Sequence, residues 1–284
     1  MIYCLPSAAK LNLTLRVIGR REDGYHELRS LFYRLSPVET LTIETDYGHN
    51  VKNKINVTGL QIKGRNILED VLELAATRGK FPPLRLRLHK EVPPGSGLGG
   101  GSGNAATLIS WLNLFLSEEN SLRGEEVGSD VPFFLEGGKW AQVGGRGEDV
   151  QRLPYNPPHY HVVVAIPSWS MSTRRAFSLL AARFGSSRLM SEDQAEMERD
   201  DVMGKLGACR HYGLLPNDFA PFLMEAHPEY NDLFRTFDEG GALAWGITGS
   251  GGAAFSFFID GDECARTAAV LGGIGWIKKI LILE

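Results

Sequence analysis

Between strand-like and helix-like stretches the chain reads Pro93-Pro94-Gly95-Ser96-Gly97-Leu98-Gly99-Gly100-Gly101-Ser102-Gly103. Six glycines in these eleven residues are entropically expensive to order. An ordered loop of this kind recovers that cost when its backbone N–H groups approach a bulky anion such as a phosphate. A helix starting near Ser102 adds unpaired N–H groups and the positive end of its dipole. The bland alternative is a flexible linker, but linkers do not normally join a strand to an amphipathic helix.

Two familiar phosphate loops do not fit. Gly95-x-Gly97-x-x-Gly100 satisfies the dinucleotide pattern, with Glu118 or Glu119 downstream. However, the preceding Leu84-Arg85-Leu86-Arg87-Leu88 alternates apolar and charged residues and so has one wet face, whereas a doubly wound sheet buries both. A Walker A loop needs a lysine, and no lysine or arginine lies between Glu91 and Arg123.

Other residues are chemically open to two readings. Lys10 and Asn12 lie on the polar side of Ser7–Val17, a strand whose Leu11, Leu13, Leu15 and Val17 share the other face. Alone, such a lysine is usually solvated. Tyr25 and His26 follow the Arg20–Gly24 turn, either as loop rings or as a stacking platform for a flat ligand. Asp130, before Val131-Pro132, reads as a helix N-cap or as an acid/base. Thr248-Gly249-Ser250-Gly251-Gly252 joins two strands, as a tight hairpin or as room for phosphates. His159-x-His161 has no nearby Cys, Asp or Glu in sequence and reads as an accident of strand entry.

The elements that must position these residues alternate in type. After the first strand come Leu28–Phe32 and Thr40–Glu44 as extended segments, then a loop over 46–54. Asn66-x-x-Glu69 opens a helix as a capping box. The strand 84–88 leads into the glycine loop, and a helix over 105–115 turns Leu108, Leu112 and Phe115 inward. Short strands and turns over 137–147, a buried strand 162–166, a helix capped by residues 170–173 and another opened by residues 216–219 complete the pattern. The polar segment 186–199 reads as surface helix and loop.

With 284 residues, 43% of them hydrophobic, the chain can bury a large core. A net charge of −4 argues against nucleic acid or an anionic membrane as main partner. Cys4, Cys209 and Cys264 are odd in number and widely spaced, which suits a reducing compartment and offers no disulfide framework. The apolar runs are too short to span a bilayer, and the start carries no basic n-region, so a cytoplasmic location is expected.

Three separated motifs, Pro6-x-x-Ala9-Lys10-Leu11-Asn12, residues 93–106 and Thr248-Gly249-Ser250-Gly251, resemble those of the GHMP kinases. Gly19–Leu28, with its Asp23-Gly24-Tyr25-His26 core, and Gly128–Phe133 are similar to the branch of that family acting on cytidine diphosphate methylerythritol in non-mevalonate isoprenoid synthesis. The resemblance implies a two-domain α+β fold. Residues 1–155 would be ribosomal protein S5 domain 2-like, residues 156–284 a ferredoxin-like sandwich, with ATP and substrate in the cleft between.

It further implies a role for each matched residue. Residues 93–103 would wrap the ATP phosphates, Asn66 would border the adenine, and Mg²⁺ would neutralise phosphate charge. Asp130 would take the proton of the substrate 2-hydroxyl, with Lys10 beside it keeping the carboxylate ionised. Tyr25 and His26 would hold the cytosine; Asn12, Phe32, Thr173, Gly249, Ser250 and Gly251 would line the rest of the pocket. A monomer or weak homodimer is expected. Another small-alcohol kinase of the family, acting on mevalonate or homoserine, and a non-catalytic nucleotide-binding regulator are the competing readings. Departures from the family pattern are a short 113–128 segment, Gly103 in place of a common serine, and Ser129 in place of a common alanine.

Overall fold

A computed structural model describes residues 1–45, 52–136, 138–184 and 190–284. Its organising element is a pair of long antiparallel strands, β1 (Ile2–Arg20) and β2 (His26–Thr45), joined by a turn in which Gly24 takes φ +85°. The residues read as two extended segments, 28–32 and 40–44, are thus parts of one strand. Asp46–Lys54 was expected as a loop; residues 46–51 lie outside the described residues, and Lys54 already begins β3 (Lys54–Gly59).

β3 connects through α1 (Ile67–Arg78) to β4 (Leu84–Lys90), which runs parallel to it, as a crossover requires. The Asn66 capping box forms as expected: its side chain accepts from Leu68 N at 3.1 Å, and Glu69 accepts from Asn66 N at 3.2 Å. Helix α2 (Gly100–Asn113) follows the glycine loop, and the five-residue α3 (Val131–Leu135) precedes β5 (Trp140–Gly145) and β6 (Asp149–Arg152). The first sheet runs β3-β4-β2-β5-β6, with β1 also on β2. β4 pairs with the second half of β2 and β5 with the first half, so β2 is the spine of this half of the molecule.

Two expectations about the second helix need correction. It begins at Gly100 rather than near Ala105, because the glycines continue into its first turn, and Phe115 lies beyond its end and is 58% exposed. Gly103 falls inside α2 because a Cβ there would overlap the Ala8 carbonyl of β1. The missing side chain lets α2 close onto the strand that carries Lys10.

The second half holds β7 (His161–Pro167), α4 (Thr173–Phe184), α5 (Glu192–Gly207), β8 (Gly213–Leu214), α6 (Ala220–Ala226), α7 (Glu229–Glu239), β9 (Ala244–Ile247), β10 (Ala254–Phe258), α8 (Gly261–Leu271) and β11 (Ile277–Leu283). Its strands order as β11-β7-β10-β9-β8. Of the polar 186–199 stretch, residues 186–189 lie outside the described residues. From Ser191, its N-cap, the stretch runs into α5, which is held to the body: Ala195, Val202 and Leu206 are buried, and Glu198 pairs with Arg16 of β1.

Apolar layers seal this arrangement. Leu41, Ile43, Leu84, Leu86 and Leu88 of the first sheet pack under Leu68, Val71, Leu108 and Leu112 of α1 and α2, each contributing about 1.5–3 kcal/mol on full burial. A separate cluster joins Leu11, Leu13 and Tyr33 of β1 and β2 to Val162, Val164, Phe255 and Phe257 of the second sheet, so the two halves share a core.

Gly103→Ala should destabilise the protein by about 1–3 kcal/mol through overpacking against a backbone that cannot turn aside. Gly204→Ala, at an exposed helical position with open space around it, should stabilise by about 0.5–1 kcal/mol. Urea-unfolding midpoints of the two variants test both signs.

Candidate active site

The glycine loop and the Gly249–Gly252 turn meet backbone against backbone. A Cβ on Gly97 would overlap the Thr248 carbonyl, and one on Gly251 would overlap the Ser96–Gly97 peptide. Ala253 N donates to Ser96 O at 3.1 Å. Gly95, Gly97 and Gly99 take φ of +77°, +88° and +65°, where a side chain is strained. The second turn is held in its own right: Asn217 Nδ2 donates to Ile247 O at 2.8 Å and Gly249 O at 2.9 Å, and the Tyr230 hydroxyl donates to Gly252 O at 2.5 Å.

Lys10 lies where these elements converge. It is 3% exposed, and its ammonium donates to Asn12 Oδ1 at 2.5 Å and Gly97 O at 2.7 Å, with Asp130 Oδ2 at 3.7 Å. The Phe32 ring centroid is 4.8 Å away. Asn12 is oriented by donating Nδ2 to Ser30 Oγ at 2.9 Å, and the Thr248 hydroxyl sits 3.2 Å from Asn12 Oδ1. Burial pushes the Lys10 ammonium below its ordinary pKa, and the charge of Asp130 pulls the other way.

Asp130 occupies the N-cap position of α3, yet its side chain makes no cap hydrogen bond. Its carboxylate turns toward Lys10 and remains 30% exposed, facing the cleft. Arg34 fixes α3 from behind, donating to Phe133 O and Phe134 O at 2.7 Å each.

Lys10, Asn12, Phe32, Gly95, Gly97, Gly99, Asp130, Thr173, Gly249 and Ser250 all line one cleft of about 990 Å³, as do Tyr25 and His26 at its far end. Tyr25 is 56% exposed, with the Arg146 guanidinium 4.9 Å from its ring centroid. His26 stacks on Phe177 at 4.5 Å and 20°. Burial and the neighbouring Arg20 charge push the His26 imidazole below its ordinary pKa.

Some expected residues do not reach the cleft wall. Leu98 is fully buried in the shared core, Gly251 is buried against the glycine loop, and Gly100 and Gly103 are closed in by Val92 and β1. Asn66 is 6% exposed and caps α1, with its Nδ2 lacking a protein partner; Ile67 beside it lies against Gly101. Pro93, Pro94, Ser96, Gly101 and Ser102 border the loop and helix start without lining the cavity itself. The first turn of α2 has no side-chain cap and no acidic residue, so its N–H groups remain available to an anion.

Beneath the loop lies a buried network that sequence reading missed. Lys90 Nζ donates to Glu39 Oε2 at 2.8 Å and Asn104 Oδ1 at 3.2 Å, and both charged side chains are within 2% of full burial. Glu39 Oε1 accepts from Glu91 N at 2.9 Å and Val92 N at 2.8 Å, clamping the exit of β4. Asn104 Nδ2 donates to Glu39 Oε2 at 2.8 Å and to Ser7 Oγ at 2.9 Å, tying the first turns of α2 to β1. The signal was present: Lys90 continues the inward register of Leu84, Leu86 and Leu88, and Glu39 that of Leu41 and Ile43. Phe177 and Arg146 left no comparable trace.

A glycine-rich cradle, a buried lysine beside a cleft-facing carboxylate and a ring-lined far end are the features of a small-molecule kinase of the GHMP class. Residues 66–138 match the family model for the GHMP kinases N terminal domain, and residues 204–271 that for the GHMP kinases C terminal. A 4-diphosphocytidyl-2-C-methyl-D-erythritol kinase of Solibacter usitatus is 33% identical over 94% of this chain and 85% of that protein. One from Thermotoga maritima is 37% identical over 89% of this chain and 91% of its own length. A crystal structure of 4-(cytidine 5′-diphospho)-2C-methyl-D-erythritol kinase superposes with a TM-score of 0.77 at 26% identity, covering 100% of this chain and 98% of that one. The chain belongs to the 4-diphosphocytidyl-2-C-methyl-D-erythritol kinase family. It is a phosphotransferase with the two-domain α+β fold of the GHMP kinases.

Lys90→Met would strand the Glu39 carboxylate in the interior and should cost about 3–5 kcal/mol. Glu39→Gln keeps an acceptor for Glu91 N and Val92 N and should cost less. Thermal melts rank the two, and a reversed order would sink the clamp assignment.

Proposed function

We propose that this chain transfers the γ-phosphoryl group of ATP to the 2-hydroxyl of 4-(cytidine 5′-diphospho)-2-C-methyl-D-erythritol. One observation carries the reading: the same Lys10 ammonium touches the glycine loop at Gly97 and neighbours the cleft-facing carboxylate of Asp130. That arrangement puts a proton acceptor beside the place where a γ-phosphate would rest. Asp130 takes the hydroxyl proton as the alcohol oxygen bonds to phosphorus, and the bond from γ-phosphorus to the β,γ-bridging oxygen breaks to release ADP. Phosphoryl transfer needs positioning and charge stabilisation more than covalent chemistry, and this cleft supplies both.

The N–H groups of the first α2 turn and the glycine loop cradle the ATP phosphates, and Asn66 lies toward the adenine. Magnesium takes oxygen ligands, keeps several waters and binds largely through nucleotide phosphates. The Ser102 hydroxyl on the first turn of α2 is an oxygen donor of the kind such an ion would accept. When bound, the ion neutralises phosphate charge.

At the other end, Tyr25, His26 and Phe177 offer flat faces to the cytosine. The lowered pKa of His26 leaves it neutral near pH 7, with one donor and one acceptor for the base edge. Arg20, Arg146 and Arg174 line the same cleft and suit the diphosphate. Thr173 and Ser250, whose hydroxyls are 3.1 Å apart, border the middle of the pocket with Asn12, Phe32 and Gly249. Every proposed role is filled from one chain, which is compatible with a monomer or weak homodimer. The two units proposed, residues 1–155 and 156–284, divide the chain between β6 and β7. Among the described residues no helix is long and apolar enough to cross a membrane; we place the reaction in the cytoplasm.

The test is ATP consumption against a panel of the cytidine compound, methylerythritol phosphate, mevalonate and homoserine. Turnover of the cytidine compound alone is expected; turnover of another alcohol instead would remove the cytosine assignment. Asp130→Ala should lower kcat by about 10²–10⁴-fold with ATP affinity nearly unchanged. The KM for the cytidine substrate should rise only as the pH falls below the ordinary imidazole range and His26 protonates. His26→Ala should raise that KM and flatten its pH dependence, and a wild-type profile in the variant would take His26 out of the pocket.

A further inference from the structure

His159 and His161 enter β7 with one residue between them, so strand periodicity puts both rings on one side. Their ring centroids are 5.1 Å apart and nearly perpendicular, at 84°. In sequence the pair lacks a third donor, but the fold brings one. The antiparallel register that pairs Leu283 of β11 with Val162 of β7 carries Glu284 to the position beside His161. One ligand atom from each of His159, His161 and Glu284 lies within 4.8 Å of the others.

We propose that His159, His161 and Glu284 form a binding site for a divalent transition-metal ion, of which zinc is the simplest member. Two imidazole nitrogens and one carboxylate oxygen match the three-protein-ligand zinc pattern with an open fourth position. Ligand atoms around a tetrahedral zinc sit roughly 3.3 Å apart, given bonds of about 2.0–2.1 Å. Closing from 4.8 Å therefore takes only side-chain rotation, and His159 and Glu284 are exposed and free to rotate. Among the described residues neither imidazole makes a hydrogen bond and the Glu284 carboxylate makes no ion pair, while His161 lies within reach of the Asp260 charge.

The surroundings assist. The His161 ring rests against Gly261, where a Cβ would come within 3.1 Å of it, so the ring has a fixed seat. The adjacent Asp260, which caps α8 by accepting from Asp262 N at 2.7 Å, adds negative charge. Lys139 is the opposing charge; it shares a recess of about 250 Å³ with His159 and Glu284, but its ammonium is engaged 4.7 Å above the Tyr33 ring. No residue lines both this recess and the kinase cleft, so the site is separate from the phosphoryl-transfer chemistry. Nitrogen donors also separate it from magnesium, which prefers oxygen.

Equilibrium dialysis of the untagged full chain against Zn²⁺, with excess Mg²⁺ present and no nucleotide, tests the site. One zinc per chain is expected, and His159→Ala and Glu284→Gln should each weaken it by at least about tenfold. Cobalt substitution should give the visible absorption of a tetrahedral ion, lost in both variants. No saturable binding, or binding that either variant leaves unchanged, would overturn the proposal. Kinase activity should be the same in the variants as in the wild-type chain.

Discussion

An ammonium group 3% exposed to water is tolerable only if its protons are used, and that requirement governs the centre of this molecule. Lys10 needs the Gly97 carbonyl, which can approach only because Gly97 lets the Thr248 carbonyl close behind it. Gly251 in turn must lack a side chain for its turn to sit on the Ser96–Gly97 peptide. Asn217 and Tyr230 then hold that turn by its carbonyls. One buried charge thereby dictates glycines in two distant segments and hydrogen bonds from Asn217, ahead of α6, and from Tyr230 of α7.

Among the described residues two lysines are buried, with opposite employment. Lys90 faces a carboxylate that is itself wholly buried and further occupied by two backbone N–H groups, so that pair is closed to any ligand. Lys10 faces a carboxylate that is 30% exposed and has abandoned its helix cap. The first pair fixes the exit of β4 and so aims the glycine loop; the second leaves chemistry open at the cleft. Exposure of the acidic partner, more than burial of the lysine, separates the closed pair from the cleft-facing one.

The sequence made the glycine loop, the Asn66 capping box, the alternating strand 84–88 and the hairpin-like 247–259 segment readable, because each rests on local spacing. It disguised β1, where Lys10 and Asn12 stand on the polar side of the alternation but are only 3–4% exposed: the second turn closes over what alternation alone assigns to water. Lys90 and Glu39 were legible in principle, as charges standing in apolar registers. His26 was visible, but its partner Phe177, on a helix 151 residues later, was not, because ring stacking leaves no mark in spacing. The extent of α2 was misread for a related reason. Glycine weakens helix propensity, while contact with β1 overrides it.

The Asn12 amide and the Thr248 hydroxyl that meet beside Lys10 are 236 positions apart in the chain. At about 5–20 residues per second, a ribosome adds that interval in roughly 12–47 s. From the moment the glycine loop emerges until that interval ends, the first half has its long strand pair and that loop but lacks the turn that walls in the lysine. The nascent protein therefore holds an unfinished cradle with the Lys10 ammonium still open to water. The lysine is enclosed only when β9 and β10, one of the last hairpins made, arrive, and the core shared by the two halves waits on the same strands.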